Sequence, residues 1–91
     1  MSAPPKPPDV SKRKRAHIRA SILKLRDAMP DDALRAECDR HLDTLHYSAP
    51  ELLDNRWCQM HAFMTASVPD TEQLRGIWNE ALEAYPKINS A

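Results

Sequence analysis

Ninety-one residues allow one domain with one modest core, near the size at which folding alone becomes marginal. A single glycine against eight prolines excludes a turn-rich β protein, whose corners need residues at positive φ, and 42% hydrophobic residues with 5% aromatic give a mostly aliphatic interior. A formal net charge of zero argues against a dedicated nucleic-acid domain, yet it conceals an asymmetry: residues 1–29 carry eight Lys/Arg against two Asp, net +6, and residues 30–91 carry five against eleven acids, net −6.

Residues 1–10 read as a proline-rich tail. The first nine, MSAPPKPPD, hold four prolines and almost nothing apolar, so they cannot offset their ordering entropy and are expected to be disordered or polyproline-like. They lack the apolar segment of a signal peptide, and no run approaches a membrane span. Two cysteines are too few for a disulfide scaffold, so the expectation is a soluble protein of a reducing cytoplasm with no membrane association. A helical domain is expected over 11–86, with a short polar end over 87–91.

The first helix is expected from about Ser11 to Ala28, with Asp9 or Ser11 as N-cap. Ile18, Ile22, Leu25 and Met29 stand at i, i+4, i+7 and i+11, a narrow seam of the coiled-coil kind. Leu23 falls roughly 120° off that seam, near Ala16 and Ala20, as a second apolar strip that a monomer does not need. Met29-Pro30-Asp31-Asp32 then breaks the chain and opens a second helix, about Asp32 to His46, with acids favourable at its start. Its stripe is Leu34, Cys38, Leu42 and Leu45, with His41 at the edge.

Ser48-Ala49-Pro50-Glu51 reads as a capping box, serine at N-cap and glutamate at N3, with proline in the first turn. The third helix runs to about Ala66. Leu53, Trp57, Met60 and Met64 form its main seam, and Leu52 and Phe63 widen the apolar arc to roughly 140°. An arc that broad makes this helix the expected centre of the fold, one part core and one part interface. Val68-Pro69-Asp70 ends it and caps a fourth helix, about Thr71 to Tyr85, whose apolar face is Leu74, Ile77, Trp78, Ala81, Leu82 and Tyr85. Gly76 lies mid-helix on another side, at a cost of about 1 kcal/mol relative to alanine that a close helix approach would explain. Pro86 is expected to stop the helix. Short connections make consecutive helices antiparallel neighbours, so the expected fold is all-α, a small antiparallel bundle of about four helices.

The sharpest chemical pattern is Cys38-x2-His41 with Cys58-x2-His61, residue types and spacing suited to a tetrahedral zinc site. The helical wheel opposes it: Cys58 lies roughly 160° from the middle of its helix's apolar arc, so turning both pairs inward would expose Trp57, Met60 and Met64. The same divergence argues against a disulfide. No metal and no cofactor is therefore expected, with a zinc-stabilised module as the alternative. Lys12, Arg13, Lys14, Arg15 and Arg19 form a basic cluster that could meet nucleic-acid phosphates, but no aromatics interleave it and the remaining domain is acidic. No P-loop, glycine-rich fingerprint, serine elbow or HExxH motif is present, so no enzyme is expected.

What remains is surplus apolar surface. Leu23, Leu52, Trp57, Met60, Phe63 and Met64 are the expected residues of a dimer or partner interface, methionines being suited to adaptable contacts. The segment Leu25-Arg26-Asp27-Ala28-Met29-Pro30-Asp31-Asp32-Ala33-Leu34, then His41, then Met60-His61-Ala62-Phe63-Met64-Thr65-Ala66 resembles the TraM-type antiactivators of bacterial quorum sensing, with which QslA belongs functionally. The resemblance covers about half the chain and consists mostly of core spacing, so it carries no contact residues. It implies a homodimeric antiactivator that binds a LuxR-type transcription regulator and occludes its dimerisation or DNA-binding surface. The alternative is a nucleic-acid-binding protein that uses the basic first helix.

Overall fold

The computed structural model describes residues 10–89, which are 86% helical and contain no strand. Four helices follow one another: α1 (Val10–Ala28), α2 (Asp32–His46), α3 (Leu53–Ala66) and α4 (Glu72–Asn89), with one 3-10 turn (Pro50–Leu52) leading into α3. The expected proline-rich tail and its candidate cap Asp9 lie outside the described residues, as do residues 90–91.

Cross-helix contacts fix the directions. Arg26 meets Asp39 close to the α1–α2 turn, while Arg15 reaches the carbonyls of Leu45 and Ser48 at the far end, so α1 and α2 are antiparallel. Arg13 reaches the Ile88 carbonyl and His17 the Ala81 carbonyl, so α4 runs antiparallel to α1 as well. Lys14 meets Asp54 and His17 meets Trp57, so α3 runs in the same sense as α1. This is the up-down-up-down arrangement that short connections dictate.

The centre is α1, not α3. α1 packs most extensively along α4 and α2 and also touches α3. Its seam Ile18, Ile22, Leu25 and Met29 is buried throughout, joined by Cys38, Leu45, Leu53, Met60 and Leu74 from the other three helices. Burying each such large aliphatic side chain contributes about 1.5–3 kcal/mol. The α3 and α4 backbones stay farther apart, and aromatic rings bridge them: Trp57 stacks on Tyr85 at 4.4 Å and 8°, and sits 5.0 Å from Trp78.

Several local expectations are corrected. Ser11 lies inside α1 and is not its cap. Ser48 does not begin a capping box: its hydroxyl donates backward to the Thr44 carbonyl at 2.6 Å, and Ala49 precedes the 3-10 turn without a side-chain cap. A serine near a helix C-terminus has both options, and the backward bond wins here. The caps that do form are Asp31, whose carboxylate accepts the Leu34 N–H at 2.8 Å, and Thr71, whose hydroxyl accepts the Leu74 N–H at 3.2 Å. Pro86 does not stop α4. Its φ is compatible with a helix, and the last turn is held by Ile88 against the core and by the Arg13–Ile88 carbonyl contact at 3.5 Å. Gly76 has no close neighbour: a Cβ added there would meet nothing within 4 Å, so its cost to the helix has no packing return.

Candidate interaction surface

The six expected interface residues divide. Trp57, Met60 and Phe63 belong to the protomer's own core, Met60 with only 1% of its surface exposed. Met64 is half-buried and lines, with Val68, Leu74 and Trp78, a shallow groove of about 320 Å³ at the α3–α4 corner. Leu23 and Leu52 stay exposed, at 39% and 37%. The wide arc of α3 is therefore spent mostly on α1, α2 and the aromatic bridge to α4.

Leu23 stands on the outer side of α1 with Ala16 and Ala20, all exposed, and the exposed Lys12, Arg19, Lys24 and Asp27 share that side by helical spacing. Ala20 and Lys24 continue into a groove of about 250 Å³ between α1 and α4, closed on the other side by Ile77, Glu80 and Ala84. Sequence reasoning missed Tyr47, the most exposed large apolar side chain at 80%, whose ring meets His46 edge-on at 4.8 Å. It follows directly on the last residue of α2, outside any periodic stripe. The signal that could have found it is an aromatic residue in a connection with nothing to pair it inward.

The basic cluster is not one surface, because successive helical residues point 100° apart. Arg15 is half-buried and donates to the Leu45 carbonyl, which also accepts the Ser48 N–H at 3.2 Å, and, at 2.7 Å, to the Ser48 carbonyl, where α2 ends. Lys14 pairs with Asp54 at 3.1 Å and lies over the Tyr85 ring. Lys12, Arg13 and Arg19 are exposed.

Behind Lys14 lies the most elaborate polar contact of the fold. The Tyr85 hydroxyl donates to Asp54 at 2.5 Å, and the same carboxylate oxygen accepts from Lys14. The hydroxyl and then the ammonium hold the Asp54 carboxyl below its ordinary range. His17 Nε2 sits 3.1 Å from the Ala81 carbonyl, between the rings of Trp57 and Tyr85. The cluster clamps α1, α3 and α4 together.

The two Cys/His pairs are not brought together. Cys38 is fully buried, and His41 lies against the Phe63 ring at 5.2 Å. Cys58 and His61 are exposed, and both thiols are free. Among the described residues no group of three or more His, Cys, Asp or Glu converges on a metal position. Burial pushes the Cys38 thiol up to about 11. Burial, then the hydrogen bond to Asp54, also pushes the Tyr85 phenol up.

A raised folded-state pKa for an acid that is neutral when protonated means the native state holds its proton more tightly than the unfolded chain. That stability is complete below the unfolded thiol pKa and is lost as pH rises toward 11. Urea unfolding should therefore show a loss of about 2–3 kcal/mol attributable to Cys38 between pH 9 and pH 11, absent in Cys38→Ala. A thiol reagent at neutral pH should modify Cys58 at once and Cys38 only in denaturant.

No helix among the described residues is long and apolar enough to cross a membrane. Compared with known protein families, curated proteins and solved structures, the chain matches none.

Proposed function

We propose that this chain is a non-enzymatic regulatory protein, homodimeric, that binds and inhibits a LuxR-type transcription activator by covering its dimerisation or DNA-binding surface. The observation that carries the reading is the exposed strip of Leu23, Ala16 and Ala20 on α1, framed by Lys12, Arg19 and Lys24. An apolar centre flanked by three cations and one acid, Asp27, suits an amphipathic helix with mainly acidic flanks, and those charges would set orientation and association rate. Exposed Leu52 supplies a second contact for self-association. The likeness of residues 25–34 and 60–66 to the TraM/QslA-like antiactivators supplies the class of partner. Inhibition is steric in this reading and requires no chemistry from the bundle.

The experiment is affinity capture from a bacterial lysate with mass spectrometry, using wild type, Leu23→Asp and Leu52→Asp, with light scattering on each. Wild type should retain a LuxR-type regulator. Leu23→Asp should weaken that binding about tenfold or more by placing a charge in the interface. Its melting should stay within about 0.5 kcal/mol of wild type, since the side chain is exposed in the protomer. Capture of nucleic acid instead, lost with added salt and with Arg19→Gln, would overturn the reading in favour of direct nucleic-acid binding.

A further inference from the structure

We propose that Arg40, His41 and Thr44 of α2, with Arg56 and Gln59 of α3, form a binding site for a phosphate-type dianion. These side chains line a notch of about 220 Å³ between the two helices, and no carboxylate is among them. That absence is informative here, because residues 30–91 carry eleven acids against five Lys/Arg, and the notch gathers two of those five. His41 lines the notch with both guanidiniums, and Glu37, Arg40 and Arg56 all act on it electrostatically. Glu37 is engaged by one terminal nitrogen of Arg40 at 2.8 Å and is not among the residues that line the notch.

The donor inventory favours a tetrahedral oxyanion over a carboxylate. Arg56 Nη1 is held by the Gln59 side-chain oxygen at 2.7 Å, which presents that guanidinium from α3, while its Nε is buried with no hydrogen-bond partner. The Gln59 amide and the far side of the Arg40 guanidinium add donors from different helices, and Thr44 holds its hydroxyl on the Arg40 carbonyl at 2.9 Å. The two guanidiniums, one of them with a side left open by Glu37, and an imidazole spread their donors around one notch as the oxygens of a tetrahedral anion require. The notch opens to solvent, so inorganic phosphate and the phosphate of a small monoester present the same group to it. His41 adds a pH response. Burial first, then Arg40 and Arg56, hold its imidazole below the ordinary range against the opposing pull of Glu37. A bound dianion offsets both guanidiniums and returns the proton, so binding tightens as pH falls.

The test is NMR titration of the full chain, following the His41 ring and the arginine side-chain N–H groups. The probes are inorganic phosphate, phenyl phosphate and sulfate, the last remaining a dianion from pH 8 to pH 6. Saturable shifts confined to Arg40, His41 and Arg56 are expected, with an upward shift of the His41 pKa. Sulfate affinity should rise as pH falls, and Arg56→Gln and Arg40→Gln should each weaken binding about tenfold with unchanged helicity. Arg19→Gln should change nothing. Binding of both phosphates or of inorganic phosphate alone supports the site and separates monoester from free ion as its source. Non-saturating shifts of equal size at Arg19 and at the notch, or undiminished binding in both notch variants, would overturn it.

Discussion

Trp57→Ala is expected to lower the unfolding free energy by about 3–5 kcal/mol, the range for removing a buried large aromatic side chain. A chain of this length has about 5–14 kcal/mol in total, so the variant should lose a large fraction of its stability. The reason is positional. Trp57 stacks on Tyr85, meets Trp78 at 5.0 Å and lies 5.6 Å from His17, so one side chain joins α3 to α4 and to α1 where the α3 and α4 backbones do not approach. Its removal opens a cavity and frees Tyr85 from the ring that orders it toward Asp54. Urea unfolding followed by far-UV circular dichroism measures the loss. Trp78, then the only tryptophan, reports the α3–α4 seam by fluorescence. A change below 1 kcal/mol would mean that the aromatic bridge does not hold the fourth helix. Any loss of partner binding in this variant should follow its unfolded fraction, in contrast to Leu23→Asp.

Arg15→Met should cost about 2–3 kcal/mol, whereas Arg19→Met one turn later should change stability by less than about 0.5 kcal/mol. The two arginines stand one turn apart on the same face of α1, and only Arg15 is level with the end of α2. Arg15 satisfies the Leu45 and Ser48 carbonyls where α2 ends, from a half-buried position, while Arg19 is exposed. Methionine keeps most of the apolar stem, so the difference isolates the guanidinium. Thermal melts of both variants at two salt concentrations decide it. Equal effects from the two substitutions would show that charge density, and not the carbonyl contact, is what Arg15 contributes.

Periodicity made the helices and their seams legible, and it failed where polar residues turn inward. Ile18, Ile22, Leu25 and Met29 were all readable as one seam, and all are buried. The same pattern could not reveal that α1 is the hub, because its other packed sides are built from Lys14, Arg15, His17 and Ser21. Of these, Ser21 is buried and returns its hydroxyl to the His17 carbonyl. Such side chains bury stems and satisfy their polar ends locally, so a hydropathy reading counts them as surface. The breadth of the α3 arc was read correctly as more than one neighbour could use. It did not say that those neighbours are other helices of the same chain. Pro86 was misread as a stop because periodicity does not weigh the packing beyond it: α4 continues to Asn89, and Ile88 packs against the core, which offsets the hydrogen bond lost at the proline. The α2–α3 notch was invisible because Arg40 and Arg56 are distant in sequence and become neighbours only through the antiparallel pairing.

Placing the first helix at the centre has a consequence for how the protein is made. The side of α1 that carries His17 and Ser21 is covered by α4, which begins at Glu72. During synthesis that side has no covering until α4 has left the ribosome, even after the α1–α2 hairpin has formed. The nascent three-helix intermediate therefore keeps that side of α1 open until the last helix closes over it.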